Sequence, residues 1–296
     1  IAETPRFGEG VGNRETATEP GSDISSLLGE FAVSLRWTAL DPGTTGEAIF
    51  ALNLAEGFED FRAAAALFDV PAQNLIYADP EGNIGYQAPG RLPIRGAGDG
   101  WLPQPGWDSA YDWQGFIPLE DQPMLYNPDS GYIVTANNAI VTDQYPYFLS
   151  RDWDYGYRAA RIVELLDSSI AAGPVSAQEM RDIQMDNQMP AAAALQRAYD
   201  GLFDTLSVEN HQVPVAVEAM LAWDGQNDAD SAEAAFANVL WENVTALMVG
   251  DKQTKIARDD QSRFVKFFEN QLDNPKSTWW TIEGTGSPSQ SALLVV

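Results

Sequence analysis

Two adjacent carboxamides close the stretch SGYIVTANNAIV, residues 130–141, where the apolar run from Gly131 to Thr135 leads straight into Asn137 and Asn138. A carboxamide offers two N–H donors and one acceptor oxygen and stays neutral. The pair reads in two ways. Asn tolerates left-handed backbone angles and bonds to its own main chain, which makes a turn; a carboxamide at a strand end is also a fixed polar group for a functional site. Other chemistries have less to work with. The chain has no Cys, so it carries no thiolate nucleophile, disulfide framework or Cys-ligated metal. Its single His, His211, lies in the polar ENHQVP before a helical segment and reads as a surface or capping residue, which leaves a His-dependent triad or zinc site without support. RGAGDG, Arg95 to Gly100, has the glycines of a phosphate loop but sits between Pro-rich segments with no helix start behind it. The triplet Asn243-Val-Thr fits a glycosylation site but falls on a predicted helix and reads as chance.

The elements that must position these residues follow from pattern. Residues 1–30 are loop-like, with Gly, Pro, Thr and Ser among charges and no apolar period. EFAVSLRWTAL, Glu30 to Leu40, alternates as a strand does. EAIFALNLA is helical, and EGFEDFRAAAALFDV places Phe58, Phe61, Ala65 and Phe68 at spacings of three and four, the stripe of an amphipathic helix. NLIYA and NIGYQA, joined by Asp79-Pro-Glu-Gly-Asn83, predict a β-hairpin. From Gly96 to Asp129 the chain is crowded with Gly, Pro and Trp and reads as a long irregular connection, either pinned by Trp101, Trp107 and Trp113 or lining a substrate side. Beyond it the pattern is helical: YRAARIVELLDSSI, then a capping box of Ser176 and Glu179, then AVEAMLAWDG, DSAEAAFANVLWENVTALMVG and SRFVKFFENQLDN. The chain thus divides into a loop-like segment 1–30, a mixed α/β part 31–166 and a mainly helical part 167–296.

Composition narrows the function further. At 296 residues with nine Trp, ten Tyr and thirteen Phe, the chain has what a large core requires. Its 43 Asp and Glu against 17 Lys and Arg give a net charge of −26, which leaves no basic stripe for a phosphate backbone and argues against a nucleic-acid partner. A strongly solvated acidic surface accounts for the imbalance better than calcium binding does. No run of about 18 apolar residues predicts a membrane span. The start at Ile1, in a polar Gly- and Glu-rich stretch, reads as a piece cut from a longer polypeptide.

The order of landmarks is more specific than any one of them. QNLIYADPEGNIGYQAPGRLPIR, then LPQPGWDSAYDWQGFIPLEDQPMLYNPDSGYIVTANN, then YRAARIVELL, then SAQEMRDIQMDN resembles the penicillin acylase (penicillin amidase) family of N-terminal nucleophile hydrolases, from about Phe31 to Gly250. The resemblance implies an α+β fold, part of a four-layer αββα sandwich followed by a mainly helical region. It implies an amidohydrolase that cleaves acyl amides, such as β-lactam side chains, acyl-homoserine lactones or lipopeptide acyl groups, through an acyl-enzyme on an N-terminal Ser whose own α-amine is the base. Asn137, the first of the paired Asn, matches the family's side-chain oxyanion donor, and Arg158 in GYRAARI matches an Arg that orients the catalytic groups. A structural ion pair at a helix start is the competing reading of Arg158. The chemistry requires no cofactor. A structural calcium ion is a family feature, and Asp152 and Asp154 lie in the right neighbourhood, although their loop does not align with the ligand pattern and acidic-loop solvation is the preferred reading.

The departure from the family is as informative. Ile1 is no nucleophile, and the Ser-Asn-x-Trp start of a large subunit occurs nowhere in these residues. The expectation is an internal fragment of the large (β) subunit, catalytically silent alone. Its partners are the remaining segments of the same precursor and a small acyl-amide substrate, and its place is periplasmic or secreted by resemblance. The alternative is a non-catalytic binding domain that keeps the scaffold and has lost the chemistry.

Overall fold

The computed structural model describes residues 32–200, 212–249, 261–274 and 276–280. The loop-like segment 1–30 and His211 lie outside them. The chain separates into two compact units that divide between Trp153 and Asp154, rather than near residue 167, which falls inside one continuous helix, Tyr157–Ala172. Strands and helices share the first unit and helices fill the second, so the fold is α+β as expected.

In the first unit, helices α1 (Thr45–Leu52) and α2 (Phe58–Ala65) precede the hairpin of β1 (Leu75–Ala78) and β2 (Ile84–Gln87). The hairpin forms where its turn residues predict, with Tyr77 opposite Gly85 and Ala78 opposite Ile84. Asp79 closes it: its carboxylate accepts the Asn83 main-chain N–H and side-chain amide, each at 2.8 Å, and the Tyr77 hydroxyl at 2.8 Å. That hydroxyl bond and the neighbouring charge push the Tyr77 phenol up to about 12. A third strand, β5 (Met124–Tyr126), pairs antiparallel with β2, giving the order β1-β2-β5. Helix α2 lays Phe58, Phe61, Ala64 and Ala65 against this sheet. The Phe58 ring stacks on Tyr126 at 4.4 Å between centroids and lies over Gly85, which has no side chain to block it.

Two elements depart from the sequence reading in this unit. The connection from Gly96 to Asp129 contains strands: besides β5, β4 (Trp113–Phe116) pairs with β3 (Pro93–Arg95) in a two-stranded ribbon with a register shift at Ile94/Arg95. These strands are three or four residues long, too short to show an alternation among Gly and Pro. Conversely, the alternating residues 32–37 form no strand and are exposed, and Thr38–Leu40 is a 3₁₀ turn. Tyr132 to Thr135 is half-buried but outside any strand as well. Alternation makes a residue fit for a sheet, but only a ladder partner turns it into a strand.

The second unit is built from α3 (Tyr157–Ala172), α4 (Ala177–Gln184), α5 (Ala192–Asp200), α6 (Gln212–Ala222), α7 (Ala232–Val249) and α8 (Gln261–Leu272), followed by a 3₁₀ turn at Thr278–Trp280. Local signals set their ends. Ser176 accepts the N–H of Glu179 at 3.2 Å while the Glu179 carboxylate accepts the N–H of Ser176, the predicted capping box at α4. Ser231 caps α7 by accepting the Ala234 N–H at 3.0 Å. The core gathers Leu195, Val217, Met220, Leu240, Val244, Phe268 and Trp280, each at most 4 % exposed. Burial of such side chains contributes about 1.5–3 kcal/mol each. Asn243 is exposed on α7, the helix on which the glycosylation triplet was expected to fall.

Candidate active-site segment

Asn137 sits at the tip of a turn. Its φ is 63°, in the left-handed region, and the residue is exposed while Ala136 before it is buried. Asn is the non-glycine residue that enters this region most readily, because its side chain can bond locally. The next residue, Asn138, makes such local bonds. The Ala136 N–H donates to Oδ1 of Asn138 at 3.0 Å, and Nδ2 of Asn138 donates to the Ala139 carbonyl at 3.2 Å. The turn reading of the pair is the one this geometry carries: Asn138 closes the turn and Asn137 stands at its tip. Downstream the chain is tethered again. The Tyr145 hydroxyl donates to the Asp121 carbonyl at 2.7 Å and the Tyr147 hydroxyl to the Asp121 carboxylate at 2.8 Å. Burial, led for Tyr147 by the bond to Asp121, raises both phenols above their usual range. Arg151 pairs with Asp99. The tip of the turn is thus fixed by its neighbours on either side of the chain.

Arg158 occupies the first turn of α3, in the second unit, so its surroundings are those of the helices. Gly156 precedes the helix at φ 86°, a left-handed angle that glycine adopts without steric cost. Its N–H donates to Oδ1 of Asp154 at 2.8 Å, and Oδ2 of the same carboxylate lies 3.5 Å from Nη2 of Arg158. The Tyr157 hydroxyl donates to Glu269 on α8 at 2.8 Å, and that bond, after burial, holds its phenol far above the usual range. One turn on, Arg161 forks onto Asp186, where the guanidinium holds the carboxyl below the usual carboxylate range. Arg158 therefore projects, about half exposed, from a helix start anchored on both sides. Its pairing with Asp154 is the structural ion pair foreseen as its competing reading.

Asp152 and Asp154 lie in the loop that leads into α3. Asp152 is exposed, and its N–H donates to Ser150 Oγ at 3.0 Å. Both oxygens of Asp154 are directed at Gly156 and the Arg158 guanidinium, whose charge opposes a cation there. Among the described residues no group of three His, Asp or Glu side chains converges as metal ligands would. No helix among them is long and apolar enough to cross a membrane. Of the supporting residues, Asn138 was noted in the sequence as the second carboxamide of the pair and Asp154 as an acidic-loop residue, whereas Tyr157 gave no signal by type.

Comparison with known proteins places these segments. A family model described as penicillin amidase matches residues 13–295. An acyl-homoserine lactone acylase QuiP of Pseudomonas fluorescens (strain Pf-5) is 30% identical over 263 residues, covering 84% of this chain and 32% of that protein. The penicillin acylase 2 proenzyme of Pseudomonas sp. strain SE83 is 34% identical over 175 residues, covering 59% and 22%. Penicillin G acylase of Escherichia coli is 37% identical over 163 residues, covering 52% and 18%. Among solved structures, a thermostable penicillin G acylase from Alcaligenes faecalis superposes with a TM-score of 0.55 at 26% identity, over 69% of this chain and 37% of that one. The α+β fold is thus that of an N-terminal nucleophile hydrolase, and the chain spans only 18% to 32% of the length of these curated relatives.

Proposed function

The chain belongs to the penicillin amidase family, and from that premise we propose that it is a segment of an acyl-amide hydrolase whose nucleophile, an N-terminal Ser, is supplied from outside this chain. In that reading the Ser hydroxyl, with its own α-amine as base through a bridging water, attacks the amide carbonyl. The carbonyl oxygen gains negative charge as the tetrahedral intermediate forms, and the amine leaves to give an acyl-enzyme that water then hydrolyses. Asn137 donates a side-chain N–H to that oxygen. A neutral donor fixed in place costs no reorganisation when the charge appears, and one such donor is worth roughly 10²–10³ in rate. Arg158 supplies a fixed positive charge and a planar set of donors that orient the catalytic groups.

What supports the reading above all is the presentation of Asn137: an exposed carboxamide on a left-handed turn that its neighbour closes. The names of the relatives point to penicillins and acyl-homoserine lactones as substrates of those proteins; the shared chemistry, and the substrate class proposed here, is a linear acyl amide. The remaining segments of the same precursor are the proposed partners, and one relative is itself named a proenzyme. A periplasmic or secreted location belongs to the same proposal. The chemistry runs on side-chain and main-chain groups without a cofactor. In the complete enzyme, Asn137→Ala lowers kcat on a chromogenic phenylacetyl or fatty-acyl anilide roughly 10²–10³-fold with KM little changed; kcat near that of the parent overturns the role. The purified chain alone gives no turnover of the same substrates, and turnover by it overturns the proposed division of labour.

A further inference from the structure

We propose that Asn138 is a positioning residue for amide hydrolysis: its carboxamide brackets Asn137 from both sides and thereby aims the Asn137 side chain. The inference rests on the reading of Asn137 as oxyanion donor. Oδ1 of Asn138 takes the N–H of Ala136, the residue before Asn137, and Nδ2 holds the carbonyl of Ala139, at 3.0 Å and 3.2 Å. Between these two anchors Asn137 stands at φ 63°, where an L-residue stays only if its surroundings hold it. An extended backbone at position 137 would swing its Cβ, and with it the carboxamide, away from its present direction. For a group that stabilises a developing charge, a displacement of about 1 Å costs on the order of 10² in rate.

The alternative, that Asn138 merely holds the fold together, fits the geometry poorly. Both side-chain bonds reach main chain no more than two residues away, and they join nothing across the unit. The approach to the turn is held independently, by the burial of Ala136 and the half-burial of Tyr132 to Thr135. Removing the Asn138 carboxamide therefore takes two hydrogen bonds from the turn and none from the core.

The experiment compares Asn138→Ala, Asn138→Asp and Asn137→Gly. In the complete enzyme, Asn138→Ala lowers kcat on a phenylacetyl anilide about 10–100-fold with KM within about twofold, while the thermal midpoint stays that of the parent. In this chain, read by hydrogen exchange, the Ala136 amide exchanges about tenfold faster in Asn138→Ala. It keeps its protection in Asn138→Asp, which retains the acceptor oxygen. Asn137→Gly keeps the left-handed turn and the Ala136 protection but has no carboxamide, and it loses kcat as Asn137→Ala does. If Asn137→Gly retains kcat, the oxyanion reading falls and this inference with it. If Asn137→Gly loses kcat while Asn138→Ala retains it, the positioning role alone is overturned. Unchanged Ala136 exchange in Asn138→Ala, or exchange in Asn138→Asp as fast as in Asn138→Ala, overturns it too.

Discussion

Arg161 and Asp186 meet as two forks: Nη2 lies 2.8 Å from Oδ1 and Nε 3.1 Å from Oδ2. The pair ties α3 to the segment after α4, and both side chains are largely shielded, at 21 % and 15 % exposure. Gln226 adds a third bond to Oδ1 of Asp186 at 3.0 Å. A bidentate, partly buried pair of this kind is stronger than a surface ion pair.

Its pH dependence has a definite sign. The Asp186 carboxyl is held below its usual range, chiefly by the Arg161 bond, so the folded state binds that proton less tightly than the unfolded chain does. The stabilisation is complete above the unfolded value of about 3.9 and is lost as pH falls through the lower, folded value. Asp186→Asn therefore lowers stability at pH 7 by about 1–3 kcal/mol and flattens the acid side of the stability curve. Urea unfolding at pH 7 and pH 3, with α3 followed by exchange, checks it: the gap between parent and variant narrows at the lower pH.

Gly85 is a prediction about space alone. A Cβ built there lies 2.3 Å from the Phe58 ring, with no positive φ to confuse the reading. Gly85→Ala must push Phe58 off Tyr126 and costs about 1–3 kcal/mol. Gly46, within α1, has nothing within 4 Å of an added Cβ; Gly46→Ala stabilises by about 0.5–1 kcal/mol. Thermal unfolding of the two variants moves the midpoint in opposite directions.

The contrast between those glycines shows what the sequence carries and what it withholds. The hairpin at Asp79-Pro-Glu-Gly-Asn83 and the capping box at Ser176 are local devices, closed by residues a few positions apart, and both are present as expected. The strands β3, β4 and β5 exist because distant segments pair, and no local pattern in a Gly- and Pro-rich stretch announces that. Residues 32–37 err the other way, alternating as a strand without a ladder partner among the described residues. At the candidate site Asn137 and Arg158 were named from residue type and the order of landmarks. Their supports were not: the Asn138 bond to Ala136 and the Tyr157 bond to Glu269 depend on side-chain directions that only the fold defines.

Trp280 closes the helical unit from its far end. It is fully buried, packs edge-on against Phe268 and donates its indole N–H to the carbonyls of Gln271 and Asn274, at 3.0 Å and 3.2 Å. Those carbonyls lie in the last turn of α8 and just beyond it, and they also accept the N–H groups of Asn274 and Ser277. Trp280→Ala removes both packing and donor and costs about 3–5 kcal/mol. Trp280→Phe keeps most of the packing and gives up the two indole bonds, for about 1 kcal/mol, because both carbonyls keep a main-chain donor. Urea midpoints of the second unit order the three proteins as parent, Phe, Ala.

Asp154 and Arg158 allow a test in which stability and catalysis part. Arg158 is 54 % exposed and its contact with Asp154 is 3.5 Å, so the pair contributes at most about 1 kcal/mol to folding. The same carboxylate also holds the left-handed Gly156 N–H at 2.8 Å, which sets where α3 begins and hence where Arg158 emerges. Asp154→Asn keeps an acceptor for Gly156 and gives up the charge; in the complete enzyme kcat falls about 3–10-fold while the thermal midpoint moves by no more than 2 °C or so. Asp154→Ala loses the turn bond as well and falls further. Arg158→Lys keeps the charge but not the planar fork, and lowers kcat by at least about tenfold, because a point charge on a flexible stem cannot hold two groups in fixed relation. Equal kcat for Arg158→Lys and the parent reduces Arg158 to the ion pair it makes with Asp154 and removes it from the catalytic set.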